Sequence, residues 1–251
     1  MFESKGYFPT PQTVEIPIDK LPLALEGLSI LHLSDLHIHE KTPLEKIDQL
    51  VTSANNLQPD IIVITGDIID TKPLRIKEKL LLLRGFKAKT YFISGNHDLF
   101  YGLDDLVTIL DDSHITFMDN KFISLKHAGE SYYIAGLGDR FSKFFGFKRD
   151  IEKITQLVNE QKNVIFLAHQ PKDYTIALNS GAMLFLAGHT HGGQIFPFHY
   201  LVKLVQPFLH GLHFKKEMAV YISRGLGNWG IDIRFLAPSE ITLLKLKGTS
   251  C

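Results

Sequence analysis

The chain has 251 residues, of which 45% are hydrophobic, and it carries 27 basic and 27 acidic side chains. Because the charges balance, the chain has no net positive charge that would attract an anionic polymer, and we expect no nucleic-acid partner. Cys251 is the only cysteine, which excludes an intrachain disulfide and a thiolate metal cluster. The start lacks the features of a signal peptide, and no apolar run approaches the roughly 20 residues of a membrane span. We therefore expect one cytoplasmic domain over residues 1–251.

Short apolar runs of strand length alternate with segments of helical periodicity. Strands are predicted over residues 28–35, 60–67, 90–98, 132–139, 163–169 and 183–189, each ending at a polar or glycine-containing turn. Helices are predicted over 42–58, with Thr42 as the cap, and over 149–161. From about residue 193 onward the chain is predicted to be mostly β-structure. The alternation indicates an α/β protein with mixed sheets, preceded by an amino-terminal extension over residues 1–27.

Most of the predicted strands end in Asp, Asn or His, at the edge where α/β folds bind their ligands. These residues are Asp35, His37, Asp67, Asn96, His97, Asp98, His169, His189 and His191. Seven of these nine residues make a set of metal ligands that consists of two carboxylates, one amide oxygen and four imidazoles. That set of oxygen and nitrogen donors is larger than one tetrahedral ion uses, and it fits two metals.

Each motif also has an ordinary explanation by itself, since Asp-x-His and Gly-Asp strings are common and Gly66 and Gly95 suit tight turns. The co-occurrence of five such motifs, each at the end of its own strand, favours a functional site. Other histidines lie outside the motifs, and we expect most of them to be surface or packing residues. They are His32, His39, His114, His127, His199, His210 and His213, of which His39 lies nearest to the candidate ligands in sequence.

The motifs resemble those of the calcineurin-like metallophosphoesterases. The family signature DxH, GDxxD, GNHD/E, H and GHxH stands here as DLH, GDIID, GNHD, AHQ and GHTH, between residues 35 and 191. The resemblance implies a four-layer α/β/β/α sandwich of two mixed β-sheets flanked by helices, with a dinuclear metal site. It implies that one metal is held by Asp35, His37, Asp67 and His191. The other would be held by Asp67, Asn96, His169 and His189, so that Asp67 bridges the two ions.

The resemblance further implies hydrolysis of a phosphodiester or pyrophosphate bond by direct attack of a metal-bridging hydroxide. His97 would contact the phosphate and assist the leaving oxygen, with Asp98 as its orienting partner, while Asp70 would support the site without binding metal. Oxygen and nitrogen ligands accept Mn, Fe, Zn or Co, and manganese is the favoured ion. Two alternatives stay open: a phosphomonoesterase, including a protein phosphatase, and a non-catalytic scaffold of the same fold.

Aromatic and basic residues are interspersed in two stretches, 139–150 and 195–216. They suit either core packing or an apolar rim for an acyl chain or a bilayer interface. The strings GLGDR, AGHTHGGQI, SRGLGNWG and PSEITLLKL resemble the bacterial phosphodiesterase branch related to YaeI and YkuE, which includes a UDP-diacylglucosamine pyrophosphohydrolase. This resemblance implies a lipid-linked or nucleotide-containing substrate and peripheral contact with the inner membrane. Arg140 and Arg224 would bind substrate phosphate or form salt bridges in their loops.

Overall fold

The computed structural model describes residues 2–3, 8–111, 114–197, 199–230 and 233–249. Its strands are β1 (Phe2–Glu3), β2 (Gln12–Ile18), β3 (Ser29–Leu33), β4 (Ile61–Thr65), β5 (Lys89–Ile93), β6 (Ile115–Phe117), β7 (Lys121–His127), β8 (Glu130–Gly136), β9 (Val164–Leu167), β10 (Leu184–Ala187), β11 (Gly211–Lys215), β12 (Met218–Ile222), β13 (Arg234–Phe235) and β14 (Thr242–Gly248). Its α-helices are α1 (Leu44–Asn56), α2 (Lys77–Leu82), α3 (Asn96–Tyr101), α4 (Leu103–Leu110), α5 (Ile151–Asn159), α6 (Tyr174–Asn179) and α7 (His199–Val205).

Two six-stranded sheets organise the fold. The first sheet has the order β2-β14-β3-β4-β5-β6, and the second has the order β11-β12-β10-β9-β8-β7. In the first sheet, β3 to β6 are parallel and β14 runs antiparallel to β3. In the second sheet, β8, β9, β10 and β12 are parallel, while β7 and β11 run antiparallel at the two edges. Both sheets are therefore mixed, as predicted.

Successive side chains of each strand point to opposite faces of its sheet, so the core is divided into three layers of side chains. In β3, Ile30 packs between the two sheets, whereas Leu31 and Leu33 pack outward against helices. The outward side chains of the first sheet meet α1, α2 and α4. The outward side chains of the second sheet meet α5 and α6. The predicted α/β architecture, with two mixed sheets flanked by helices, is confirmed.

Several local predictions differ from the structure. The expected cap Thr42 does not cap α1, which has Pro43 at its N-cap; the Thr42 hydroxyl instead accepts a hydrogen bond from the backbone N–H of His39. The segment predicted as β from residue 193 contains the helix α7, because a short apolar run does not distinguish strand from helix. Residues 12–18 of the expected amino-terminal extension form an edge strand of the first sheet, paired with β14.

The helices of the described residues are short, and none of them combines the length and the apolar character needed to span a membrane.

Candidate metal centre

All the predicted metal ligands lie at one edge of the sandwich, in turns after the carboxyl ends of parallel strands. Four of them follow strands of the first sheet: Asp35 and His37 after β3, Asp67 after β4, and Asn96 after β5. Three follow strands of the second sheet: His169 after β9, and His189 and His191 after β10. Because the two sheets face each other, their carboxyl-end turns converge on a single cluster.

Asp35, His37 and His191 form the first group of the cluster. The Nε2 atoms of His37 and His191 are 3.0 Å apart, and His191 Nε2 lies 3.5 Å from Asp35 Oδ1. One donor atom from each residue lies within 4.8 Å of the others, a spacing that suits coordination of one ion. All three side chains are buried.

Asp67, Asn96, His169 and His189 form the second group. His169 Nε2 lies at its centre, 3.2 Å from Asp67 Oδ2, 3.2 Å from Asn96 Oδ1 and 3.1 Å from His189 Nδ1. Asp67 Oδ2 also lies 3.8 Å from His37 Nε2 of the first group. The Asp67 carboxylate therefore stands between the two groups.

The imidazoles of the cluster differ in protonation. The pKa of His169 is raised well above its ordinary value, because the charge of Asp67 and its contact with His169 outweigh the effect of burial. The Nδ1–H of His169 donates a hydrogen bond to the Thr65 carbonyl at 2.7 Å, so the proton on Nε2 is the one that a metal ion would replace. Burial, together with the nearby charge of His169, lowers the pKa of His189 to about 4. Burial also lowers the pKa of His191 well below its ordinary value. Neutral imidazoles beside carboxylates are the form that binds Mn, Fe, Zn or Co.

Left-handed backbone conformations concentrate at the predicted ligands. Five of the seven have positive φ angles, namely Asp35 (51°), His37 (45°), Asp67 (52°), His189 (71°) and His191 (50°). Such conformations are costly for residues other than glycine, and they cluster at functional sites where the surrounding structure enforces them. The backbone of these turns thus orients the candidate ligand side chains toward the cluster, in addition to reversing the chain.

Motif glycines allow the turns to approach one another. A Cβ atom on Gly95 would lie 2.1 Å from Asp67 Oδ1, and one on Gly188 would lie 1.8 Å from Ser34 Oγ and 2.3 Å from Asp35 Oδ2. These distances are far below van der Waals contact. The glycines are therefore required by close packing against ligand side chains, which goes beyond a role in tight turns.

A chain of buried hydrogen bonds leads from the interior to Asp35. His32 Nε2 donates to Thr65 Oγ1 at 2.9 Å, Thr65 Oγ1 donates to Ser34 Oγ at 2.9 Å, and Ser34 Oγ donates to Asp35 Oδ2 at 2.6 Å. His32 is fully buried, and its Nδ1 has no hydrogen-bond partner among the described residues. Burial lowers the pKa of His32 to about 3. His32 is therefore a neutral packing residue, in agreement with its expected role outside the ligand set.

The expected pair of His97 with Asp98 is not formed. His97 Nδ1 lies 2.6 Å from Asp70 Oδ1, so Asp70 is the orienting partner. The Asp98 carboxylate turns back over the start of α3 and accepts hydrogen bonds from the backbone N–H groups of Ile68, Ile69 and Gly95. Because a carboxylate at the third helical position satisfies the free N–H groups of the helix start, Asp98 has a structural role here.

His97 lies beside the cluster, and its side chain is mostly buried. Burial lowers its pKa, but the hydrogen bond that His97 donates to Asp70 and the negative charges of Asp67, Asp70 and Asp98 outweigh this effect, so the net pKa is raised. Asp70 Oδ1 also lies 3.9 Å from His37 Nδ1, which makes His37, Asp70 and His97 a third close group of potential donors. The Asp70 contact leaves His97 Nε2 as the nitrogen that can meet a substrate.

The two arginines predicted to bind phosphate both have protein partners. Arg140 donates to Asp173 Oδ1 at 2.7 Å, which matches the salt-bridge alternative. Arg224 lies 3.6 Å from Glu240 and 3.3 Å from His210 Nδ1, next to the turn that carries His191. Their assignment to substrate stays a prediction.

Arg234 is a residue of the site region that the sequence did not indicate. Its side chain is almost fully buried and donates to the carbonyls of Arg224, Gly225, Gly227 and Ala237 and to Asn228 Oδ1. Its guanidinium also lies 3.1 Å from His191 Nδ1. Because no motif surrounds it, only the structure reveals that it fixes the segment behind His191.

Sequence relatives cover nearly the whole chain. The chain is 38% identical over 243 residues to an uncharacterized metallophosphoesterase of Helicobacter pylori, covering 94% of this chain and 64% of that protein. It is 31% identical to the uncharacterized metallophosphoesterase YkuE of Bacillus subtilis, covering 92% of this chain and 82% of that protein. A zebrafish (Danio rerio) transmembrane protein with metallophosphoesterase domain is 34% identical, covering 93% of this chain and 56% of that protein. The chain thus spans less than two thirds of the length of several relatives.

A solved structure with the same fold is the NAD nucleotidase of Haemophilus influenzae, with a TM-score of 0.58, 20% identity, and coverage of 80% of this chain and 50% of that one. The family model for calcineurin-like phosphoesterases matches residues 28–193, which include every predicted ligand. Together with the identity to YkuE, this match settles the classification that the sequence motifs suggested. The chain belongs to the calcineurin-like phosphoesterases, a family of metal-dependent phosphoester hydrolases.

Proposed function

We propose that this chain is a two-metal phosphodiesterase that hydrolyses a phosphodiester or pyrophosphate bond. The observation that carries the proposal is the position of Asp67, whose carboxylate stands between two compact groups of donors. In this proposal one ion is held by Asp35, His37, Asp67 and His191. The other is held by Asp67, Asn96, His169 and His189, and manganese is the favoured metal for both.

When bound, the two cations supply charge neutralisation for the phosphate and activation of a water molecule. Asp67 fixes the separation of the ions by contacting both groups of ligands. Asn96 contributes a neutral oxygen, which completes a coordination shell without adding negative charge near the phosphate. His97, protonated and oriented by Asp70, donates a hydrogen bond or a proton to the leaving oxygen. Asp98 holds the His97 helix in place through the backbone of the GDIID segment.

We further propose that the substrate is lipid-linked or nucleotide-containing and is reached at a membrane surface. Helix α7 exposes an apolar face formed by Tyr200, Leu201, Leu204 and Val205. Helix α7 begins beside the turn that carries His191, because an added Cβ on Gly193 in the GHTHGG turn would lie 2.5 Å from the Cα of His199, at the start of α7. An exposed apolar helix face with a lysine, here Lys203, suits the interfacial zone of a bilayer. The zebrafish relative named as a transmembrane protein supports the same proposal.

The test is hydrolysis of paired chromogenic phosphodiester and phosphomonoester substrates by metal-stripped protein, before and after Mn²⁺ is restored. Asp67→Asn removes the bridging charge, and His97→Ala removes the proton donor while leaving the ligands in place. His127→Ala is the matched control, because His127 pairs with Asp60 at 3.6 Å, outside the donor cluster.

We expect diester hydrolysis to depend on Mn²⁺ and to fall at least 100-fold in His97→Ala, the usual effect of losing one acid-base group. Hydrolysis should fall at least as far in Asp67→Asn, because both proposed ions lose a charged ligand. His97→Ala should still bind two equivalents of Mn²⁺, and His127→Ala should match the wild type. Preferential hydrolysis of the monoester would instead indicate a phosphomonoesterase. If wild-type protein with both metals bound cleaves neither ester, the hydrolase proposal is wrong for these substrate classes.

A further inference from the structure

A cleft opens beside His97. It has a volume of about 270 Å³ and is lined by Asn96, His97, Phe100, Tyr101, Phe141 and Phe145. Four of these six residues carry phenyl or phenol rings. The cleft therefore joins an aromatic wall directly to a predicted metal ligand and to the predicted proton donor.

One wall of the cleft follows from helical spacing. Phe100 and Tyr101 lie three and four residues after His97 in α3, so all three side chains share one face of the helix. The rings of Phe100 and Tyr101 meet edge to face at 4.9 Å, and those of His97 and Tyr101 are 6.0 Å apart. Phe100 is 67% exposed, which is costly for a phenyl ring unless something covers it.

The opposite wall is held rigidly by ion pairs. Phe141 and Phe145 belong to the segment after β8, and Phe145 meets Phe100 edge to face at 6.2 Å. The segment is fixed at its two ends by Arg140 and Arg149, which bind the two oxygens of the buried Asp173 at 2.7 Å and 2.8 Å. This wall of the cleft is thus supported by two ion pairs to one buried carboxylate.

We propose that this cleft binds the leaving-group half of the substrate and that this half carries a planar aromatic ring. The inference rests on the proposed function, because it uses His97 as the donor to the leaving oxygen. An oxygen within hydrogen-bond reach of His97 Nε2 directs its carbon substituent along the cleft. Rings arranged edge to face favour an aromatic guest over an aliphatic one of equal size, because ring edges and faces carry complementary charge.

The test uses methylphosphonate monoesters, which contain a single P–O–C ester bond, so the leaving group is defined. Three alcohols of similar acidity are compared: ethanol, 2-cyclohexylethanol and 2-phenylethanol. Variants Phe100→Ala and Phe145→Ala open the two walls. Phe144→Ala is the matched control, because Phe144 lies in the same turn, is 83% exposed and does not line the cleft.

With the Mn²⁺-loaded protein we expect kcat/KM for the phenylethyl ester to exceed that for the ethyl ester by at least tenfold, and the cyclohexylethyl ester to lie between them. The phenylethyl-to-ethyl ratio should fall to within about twofold in Phe100→Ala and Phe145→Ala and persist in Phe144→Ala. A cyclohexylethyl ester that equals or surpasses the phenylethyl ester would overturn the aromatic assignment. A preference that both wall variants retain would overturn the cleft as its source.

Binding separates this inference from the proposed function. Calorimetric titration uses phosphinate analogues of the phenylethyl and ethyl esters, in which a CH₂ group replaces the ester oxygen, so that Mn²⁺-loaded protein binds them without turnover. Tighter binding of the phenylethyl analogue that is lost in Phe145→Ala, without hydrolysis of any ester, would support the cleft and contradict the hydrolase. Equal binding of the two analogues, together with equal hydrolysis of the esters, would contradict the cleft and support the hydrolase.

Discussion

His32 should make the protein unstable in acid, for a reason that lies in the interior. In the folded state its Nε2–H is used by Thr65, so a second proton must enter at Nδ1, which is buried without a hydrogen-bond partner among the described residues. Burial lowers the folded-state pKa from 6.5 to about 3. Between these two values the unfolded chain binds one proton more than the folded chain, so stability falls as the pH falls through this window. Each pH unit costs about 1.4 kcal/mol, or about 3 kcal/mol at pH 4.5.

The variant His32→Gln keeps an N–H donor for Thr65 and removes the titration. Urea unfolding of metal-stripped protein at pH 7.5 and pH 4.5 gives the free energy of unfolding of the wild type and of the variant. Other titrating groups are common to both proteins, so the wild type should lose about 3 kcal/mol more than His32→Gln over this interval. An equal loss in the two proteins would refute the neutral, buried state assigned to His32.

Two further predictions concern the segments that support the ligands. Gly188→Ala should lower Mn²⁺ affinity at least tenfold in equilibrium dialysis, because its Cβ would lie 2.3 Å from Asp35 Oδ2. Gly248→Ala is the control, because its Cβ would meet the flexible end of Glu26 at 3.2 Å and Leu21 at an ordinary 3.8 Å; unchanged affinity in Gly188→Ala would contradict the packing argument. Arg234→Met should lower the free energy of unfolding by about 3–5 kcal/mol in guanidinium chloride, because buried carbonyls lose their donors. Arg75→Met, which breaks a 3.4 Å surface pair with Glu40, should cost less than about 1 kcal/mol, and a similar loss in both variants would contradict the assigned role of Arg234.

Strand ends explain why the candidate ligands could be found from the sequence. Buried parallel strands have a recognisable apolar pattern, and a polar residue just beyond the carboxyl end of such a strand must lie at one edge of the sheet. Asp67 and His169 could therefore each be assigned to a sheet edge that binds ligands, and the alternation of apolar and helical segments predicted an α/β protein with mixed sheets. The sandwich of two sheets and the shared site of Asp67 and His169 were implied only by the resemblance to the calcineurin-like metallophosphoesterases.

Side-chain direction explains what the sequence missed. Asp98 is adjacent to His97 in the chain and Asp70 is 27 residues away, yet Asp70 makes the contact because α3 turns the Asp98 carboxylate back onto backbone N–H groups. Such choices depend on rotamers and on helix starts, which motif spacing does not encode. Helix α7 was missed for a different reason, since seven residues with several apolar side chains fit a strand as well as a helix.

The candidate ligands come from both sheets, four from the first and three from the second, so the cluster lies where the two sheets of the sandwich meet. A slide of one sheet over the other by a fraction of an ångström would change every distance between an Asp of the first sheet and a His of the second. Metal affinity should therefore depend on how the two sheets are aligned. Substitutions between the sheets, at residues such as Val63 or Ile134, would register in metal affinity even though neither side chain belongs to the cluster.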